Sequence, residues 1–208
     1  MSGAAPSARG LFRATGKVAK AARPREALDF YPTPPEVTRA LLAAEGARLA
    51  EIGTVWEPAC GDGAMSRELA AAGLRVVSSD IADRGYPCAV RGFYDYAAPP
   101  ARAIVTNPPY DQINARDGKG RWLAHAMALD VDYLALFLNW DWPAAAGLAG
   151  LLARWPISRA WLCRWKVDFT GAGAPPQRNG WFVWDKSWEG ETALRFLERA
   201  DARQAVLL

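Results

Sequence analysis

Apolar residues recur along this chain at two spacings, and the alternation between them predicts the elements. Val37, Leu41, Leu42 and Leu49 share one face of a helix over Glu36–Leu49. Short apolar runs predict strands at Thr54–Glu57, at Arg75–Ser79 leading to Asp80, at 102–106, at Tyr133–Leu138, at Ser158–Cys163 and at Gly180–Trp184. Helices are expected at Ala64–Ala72, closed by Gly73, around 120–129, and at Trp142–Trp155. Between them lie a glycine-rich turn at 58–63, a mostly irregular stretch at 82–101, and polar loops at 111–121 and 164–178. Strands alternating with helices imply a parallel or mostly parallel sheet covered on both faces. No helix separates the last two strands, so they are expected to pair as an antiparallel hairpin.

Composition bounds this picture. With 208 residues, 51% hydrophobic and 23% charged, the chain reads as one globular domain. Ten tryptophans are many for this length, and seven fall between Trp140 and Trp184. Most are expected in the core, with a few facing a ligand. The net charge of +3 is uneven: Arg9, Arg13, Lys17, Lys20, Arg23 and Arg25 against Glu26 give the first 26 residues +5, leaving −2 for the rest. Residues 1–27 are therefore read as a flexible basic arm suited to a polyanion, and 28–208 as a single domain. Cys60, Cys88 and Cys163 are scattered, and His125 is the only histidine, so neither a zinc site nor a disulfide framework is expected. No apolar segment has the length of a membrane span or a secretion signal, and a reducing cytoplasm is the expected setting.

The chemistry concentrates at Asn107-Pro108-Pro109-Tyr110, directly after the apolar run Ala103–Thr106. Two prolines can neither continue a helix nor donate to a sheet ladder, so the strand ends abruptly in a stiff turn. The turn offers the Asn107 amide oxygen and the Pro108 carbonyl as acceptors for the two hydrogens of an amine. The Tyr110 ring can stack on an attached heterocycle. Taken alone, the same tetrapeptide also fits a plain structural turn. A second cluster is Glu57-Pro58-Ala59-Cys60-Gly61-Asp62-Gly63, between a strand and a helix, with Asp80 ending the next strand 17 residues after Gly63. Glycines admit close approach of a ligand, and an acid at that place accepts from ribose hydroxyls. Ser66 stands where a nicotinamide-binding turn has its third glycine, which weakens that reading.

With these motifs in hand, the chain resembles the S-adenosylmethionine-dependent DNA adenine methyltransferases that modify the 6-amino group. The resemblance spans roughly residues 29–185. Asp29-Phe30-Tyr31-Pro32-Thr33-Pro34 looks like the N-terminal cofactor motif, Glu57–Gly63 like the glycine-rich motif, Asp80 like the ribose acid, Asp95 like the acid near the cofactor adenine, and Asn107–Tyr110 like the catalytic motif. The resemblance implies a Rossmann-like class I methyltransferase, α/β, with a seven-stranded, mostly parallel sheet, a C-terminal antiparallel hairpin and helices on both faces. It implies S-adenosylmethionine as cofactor, held by Tyr31, Thr33, Pro34, Glu57, Cys60, Gly61, Gly63, Asp80, Ile81, Asp95, Tyr96 and Asn107. Asn107, Pro108, Pro109 and Tyr110 would be catalytic, with Tyr110, Phe169 and Lys166 meeting the substrate. Asp95 has an equally simple reading as an ordinary loop acid.

Only 98 residues follow Tyr110. They leave no room for a large separate target-recognition domain, as in small phage-type or mobile-element enzymes. Recognition would fall to the loops 111–121 and 164–178 and to the basic arm, with Arg121, Lys119, Arg164 and Lys166 as candidates for phosphate contacts. The partner is nucleic acid, DNA in the first place and RNA in the second. No metal and no membrane are expected, and the protein is read as a monomer or weak dimer. A protein glutamine amide presents the same two hydrogens and stands as an alternative substrate, and a catalytically silent nucleic-acid-binding module stands as an alternative of another class.

Overall fold

This computed structural model describes residues 32–199, apart from 115, 117, 118, 170, 172 and 174–176. The basic arm and Tyr31 lie outside the described residues. Pro35 opens the first helix, α1 (Pro35–Ile52), at a position where a missing N–H costs nothing. Gly53, with φ +88°, stops it and donates to the Leu49 carbonyl. There follow β1 (Thr54–Glu57), α2 (Ala64–Ala71), β2 (Arg75–Asp80), β3 (Ala89–Val90), β4 (Ala103–Thr106), α3 (Tyr110–Ile113), α4 (Arg121–Ala128), β5 (Tyr133–Asn139), α5 (Ala149–Arg154), β6 (Arg159–Cys163), β7 (Asn179–Asp185) and β8 (Ala193–Leu197).

The strands form one sheet in the order β3-β2-β1-β4-β5-β7-β6-β8. Every pairing is parallel except the two made by β7. The sheet therefore has eight strands, not the seven expected. β6 and β7 pair antiparallel as anticipated, but they do not end the chain, because β8 follows and lies parallel to β6. Irregularity elsewhere has local causes. The stretch 142–155 is two short 3₁₀ turns and the brief α5 rather than one helix. Gly147 and Gly150 fall in what would be the interior of a continuous helix, where each weakens it. The loop after the proline turn begins as α3, and β3 and a 3₁₀ turn at Phe93–Asp95 interrupt 82–101.

Alternate residues of each central strand feed opposite cores, as a pleated strand requires. Val55, Val105, Phe137, Trp181 and Val183 meet Val37, Leu41 and Leu49 of α1 and Met65 and Leu69 of α2. Trp56, Ile104, Leu134, Leu136 and Phe182 meet Trp122, Leu123 and Ala126 of α4. Both faces are thus covered.

One polar cluster sits inside this packing. The Arg159 guanidinium, 7% exposed, donates to both oxygens of Glu45 at 2.7 and 2.8 Å and to Asp185 at 2.9 Å. Arg48 reaches Asp185 at 3.2 Å, and the Trp161 indole donates to Glu45 at 2.7 Å. Burial opposes the charge on Asp185, yet hydrogen bonds from Arg159 and Arg48 hold its carboxyl below the usual value. The cluster ties α1 to β6 and β7, and so fixes the helix whose amino end borders the site.

Candidate active site

Because β1, β2, β4 and β5 are parallel, their carboxyl ends share one edge of the sheet. β7 runs the other way and presents its amino end, Asn179, at that edge opposite Asn139. A cleft of about 1050 Å³ opens there. Ligands of open α/β sheets bind at this edge, where the strand order reverses.

The cleft gathers most of the residues singled out from the sequence. Thr33, Glu57, Cys60, Gly61, Asp80, Ile81, Asp95, Asn107, Pro108, Pro109, Tyr110 and Phe169 all line it. Four others do not. Pro34 caps α1 behind Thr33. Gly63 has φ +81°, and a side chain there would meet the Tyr86 ring at 2.2 Å, so this glycine is required by a neighbouring loop. Tyr96 is buried against Trp56 at 4.7 Å, with the Arg91 guanidinium over its ring at 4.1 Å; it anchors the turn that carries Asp95. Lys166 is exposed outside the cleft. Of the four cations proposed for phosphates, Arg121 borders the cleft, while Arg164 pairs with Glu198 at 2.8 Å.

The glycine-rich turn is held by the acid of the next strand. Gly61 N–H donates to Asp80 Oδ2 at 2.8 Å, and Ala82 N–H to Asp80 Oδ1 at 3.0 Å. Cys60 N–H donates to the Ser79 carbonyl at 3.1 Å. Asp95 likewise accepts from Gly92 N–H at 3.1 Å, so it closes its own turn as well as facing the cleft. His125, remote in sequence from every motif, reaches the Phe93 carbonyl at 3.2 Å and braces that turn.

Two groups in the cleft lack what their chemistry demands. Glu57 is 3% exposed, and burial pushes its carboxyl up to about 8. It accepts from Ser66, whose hydroxyl also meets Ser78 at 2.7 Å, and no Lys or Arg pairs with it among the described residues. Asn107 donates from Nδ2 to Thr33 Oγ1 at 3.1 Å, which leaves its buried Oδ1 with no partner. Thr106 Oγ1 beneath it is also unpartnered. An orphaned buried acceptor costs about 1–3 kcal/mol, and a ligand donor relieves that cost. The Cys60 thiol is pushed well up by burial, with Cys88 beside it, and is therefore inert as a nucleophile at neutral pH.

Sequence reasoning missed several lining residues. Tyr94, Gln112, Trp122, Asn139, Gln177 and Asn179 complete the wall. The one available signal was Asn139, a polar residue ending an otherwise apolar strand.

The same architecture recurs in solved structures. A Listeria monocytogenes protein described as a class I S-adenosylmethionine-dependent methyltransferase superposes with a TM-score of 0.56 at 13% identity, over 79% of this chain and 65% of that one. A Pyrococcus horikoshii protein described as an RNA methyltransferase gives 0.57 at 14% identity, over 76% and 88%. The methyltransferase subunit of a type I restriction-modification system from Streptococcus thermophilus gives 0.56 at 13% identity, over 83% and 50%. The fold is that of the class I methyltransferases. This chain thus spans just under two thirds of the Listeria protein and half of the Streptococcus one. No protein-family model and no curated protein matches the sequence. Among the described residues, no helix is long and apolar enough to cross a membrane, and no group of three or more His, Cys, Asp and Glu side chains converges as for a metal.

Proposed function

We propose that this protein transfers a methyl group from S-adenosylmethionine to the exocyclic 6-amino group of adenine in DNA. The observation that carries the proposal is the orphaned Asn107 Oδ1, buried at the ligand edge of a methyltransferase fold. The residues fit the cofactor. Glu57, a buried acid without a cationic partner, suits the ammonium of its methionine part, and the Asp80 end of β2 suits its ribose. Bound there, S-adenosylmethionine would supply the electrophilic methyl group and leave as S-adenosylhomocysteine, with the surplus amine proton passing to solvent.

The chain supplies the rest. An adenine amine is a weak nucleophile because its lone pair is delocalised into the ring. Asn107 Oδ1 and the Pro108 carbonyl each accept one amine hydrogen, which favours a tetrahedral nitrogen with a localised lone pair. These acceptors are preorganised for the positive charge that develops there. Thr33 holds the amide in the required orientation by accepting from Nδ2. Tyr110 and Phe169 both line the cleft: Tyr110 stacks on one face of the base, a contact contributing about 1–3 kcal/mol, and Phe169 packs against its edge. In a duplex the target base is first extruded, or it is already unpaired.

The test is transfer of labelled methyl to double-stranded DNA, single-stranded DNA, RNA and a glutamine peptide in parallel. The reading predicts label in 6-methyladenine from DNA. Label in RNA alone, or in glutamine alone, keeps the chemistry and overturns the substrate. Cofactor binding with no transfer to any of the four counts against the enzyme reading.

A further inference from the structure

Next to Asn107 the cleft holds two further amides whose hydrogen bonding is incomplete. Asn139 ends β5 and Asn179 begins β7, directly opposite each other. They share one hydrogen bond, Asn179 Nδ2 to Asn139 Oδ1 at 3.1 Å. Each amide has an NH₂ and a C=O. Whichever way the pair is turned, one NH₂ and one C=O remain without a partner among the described residues. Asn179 is 3% exposed, and both side chains line the cleft.

The pair is rigidly mounted. Trp140 N–H donates to the Arg178 carbonyl at 2.9 Å, and the Trp140 ring stacks on Phe182 at 5.4 Å. Gly180 leaves no slack: a side chain there would lie 2.6 Å from the Trp161 carbonyl and 2.7 Å from the Trp140 ring. The packing therefore holds the two amides in place at the wall of the cleft.

Thr106 pairs with Leu136 across β4 and β5. Continuing that register one residue past the end of β4, with strands about 4.8 Å apart and a rise of about 3.3 Å per residue, puts Asn139 on the order of 8 Å from Asn107, Cα to Cα. Both side chains line the same cleft, and that separation is within reach of adjacent atoms of one ring.

Resting on the adenine reading above, we infer that the Asn139–Asn179 pair reads the edge of the target base. Its free NH₂ donates to the ring nitrogen beside the amine that Asn107 grips. The site therefore selects an amine flanked by an acceptor, as in adenine, over an amine flanked by a ring N–H donor.

Two substitutions separate this role from a structural one. Asn139→Asp still accepts from Asn179 Nδ2, so the inter-strand bond survives while the free donor is lost. Asn139→Ser is the second variant, in case the added charge impairs folding. Each is assayed on the methylated nucleic acid with adenine, or 1-deazaadenine, at the modified position. The analogue lacks the ring acceptor and keeps the amine. Wild type is expected to prefer adenine by roughly 10-fold in kcat/KM, the loss of one hydrogen bond to a half-buried amide. Both variants are expected to lose most of that preference while binding cofactor normally. A preference retained in both variants, or wild-type rates on adenine, overturns the inference alone. Absence of label from adenine in every nucleic acid overturns the functional reading and this inference with it.

Discussion

The proposed function puts the chemistry on the Asn107 side chain, and its orphaned oxygen makes that role measurable. Asn107→Ala is expected to lower kcat by about 100- to 1000-fold, the range for removing one preorganised electrostatic contact. S-adenosylmethionine binding should be largely unchanged, and a near-normal rate would refute the amine grip. Glu57 gives a second residue-scale prediction. Its carboxyl titrates at about 8 in the fold against 4.5 as a free side chain. Between those values the folded protein binds more protons than the unfolded chain, so stability falls as pH rises through this window. Urea denaturation across pH 5 to 8 should show the slope, and Glu57→Gln should flatten it. If the ammonium of the cofactor meets Glu57, binding at pH 7 expels that proton. Calorimetry in buffers of different ionisation heat then reports proton release, absent in Glu57→Gln. Asn107 and Glu57 were legible in the sequence because each lies in a short contiguous motif whose spacing encodes a turn. Asn139 and Asn179 were not, because only the antiparallel register of β5 and β7 brings them together.

Strands buried on both faces announced themselves as apolar runs, which is why β1, β4, β5 and β7 fall within a residue or two of their expected bounds. β3 and β8 escaped for the same physical reason in reverse. Both residues of β3 are exposed, and Leu194, Arg195 and Phe196 of β8 are exposed as well, so neither strand carries a burial pattern to read. The ion cluster joining α1 to β6 and β7 was equally invisible, since Glu45 and Arg159 are 114 residues apart. It is the element-scale joint of the molecule. Arg159→Ala leaves Glu45 buried without a cation and Asp185 with Arg48 alone, and should cost about 3–5 kcal/mol in urea denaturation. Replacing Arg48, which is partly open to solvent, should cost much less. Equal losses from the two substitutions would mean that burial does not govern the joint.

At the scale of the whole molecule, the basic charge and the cleft residues are segregated along the chain. The first 26 residues hold +5 and everything after them −2. A cleft domain that is slightly acidic overall gains little long-range attraction for a polyanion, whereas six cations in a short segment gain much. If the arm supplies the backbone contacts, each phosphate it neutralises adds about 0.9 to the slope of log affinity against log salt. Deleting residues 1–26 should therefore weaken nucleic-acid binding most at low salt and reduce the slope by at most about 5, in proportion to the arm cations engaged. Binding titrations of the full and shortened chains at several salt concentrations measure this directly. Methyl transfer at saturating nucleic acid should survive the deletion, because every described residue of the cleft lies at or beyond Pro32. An unchanged slope would move the phosphate contacts onto the domain, where Arg121 at the rim of the cleft is the first cation to replace.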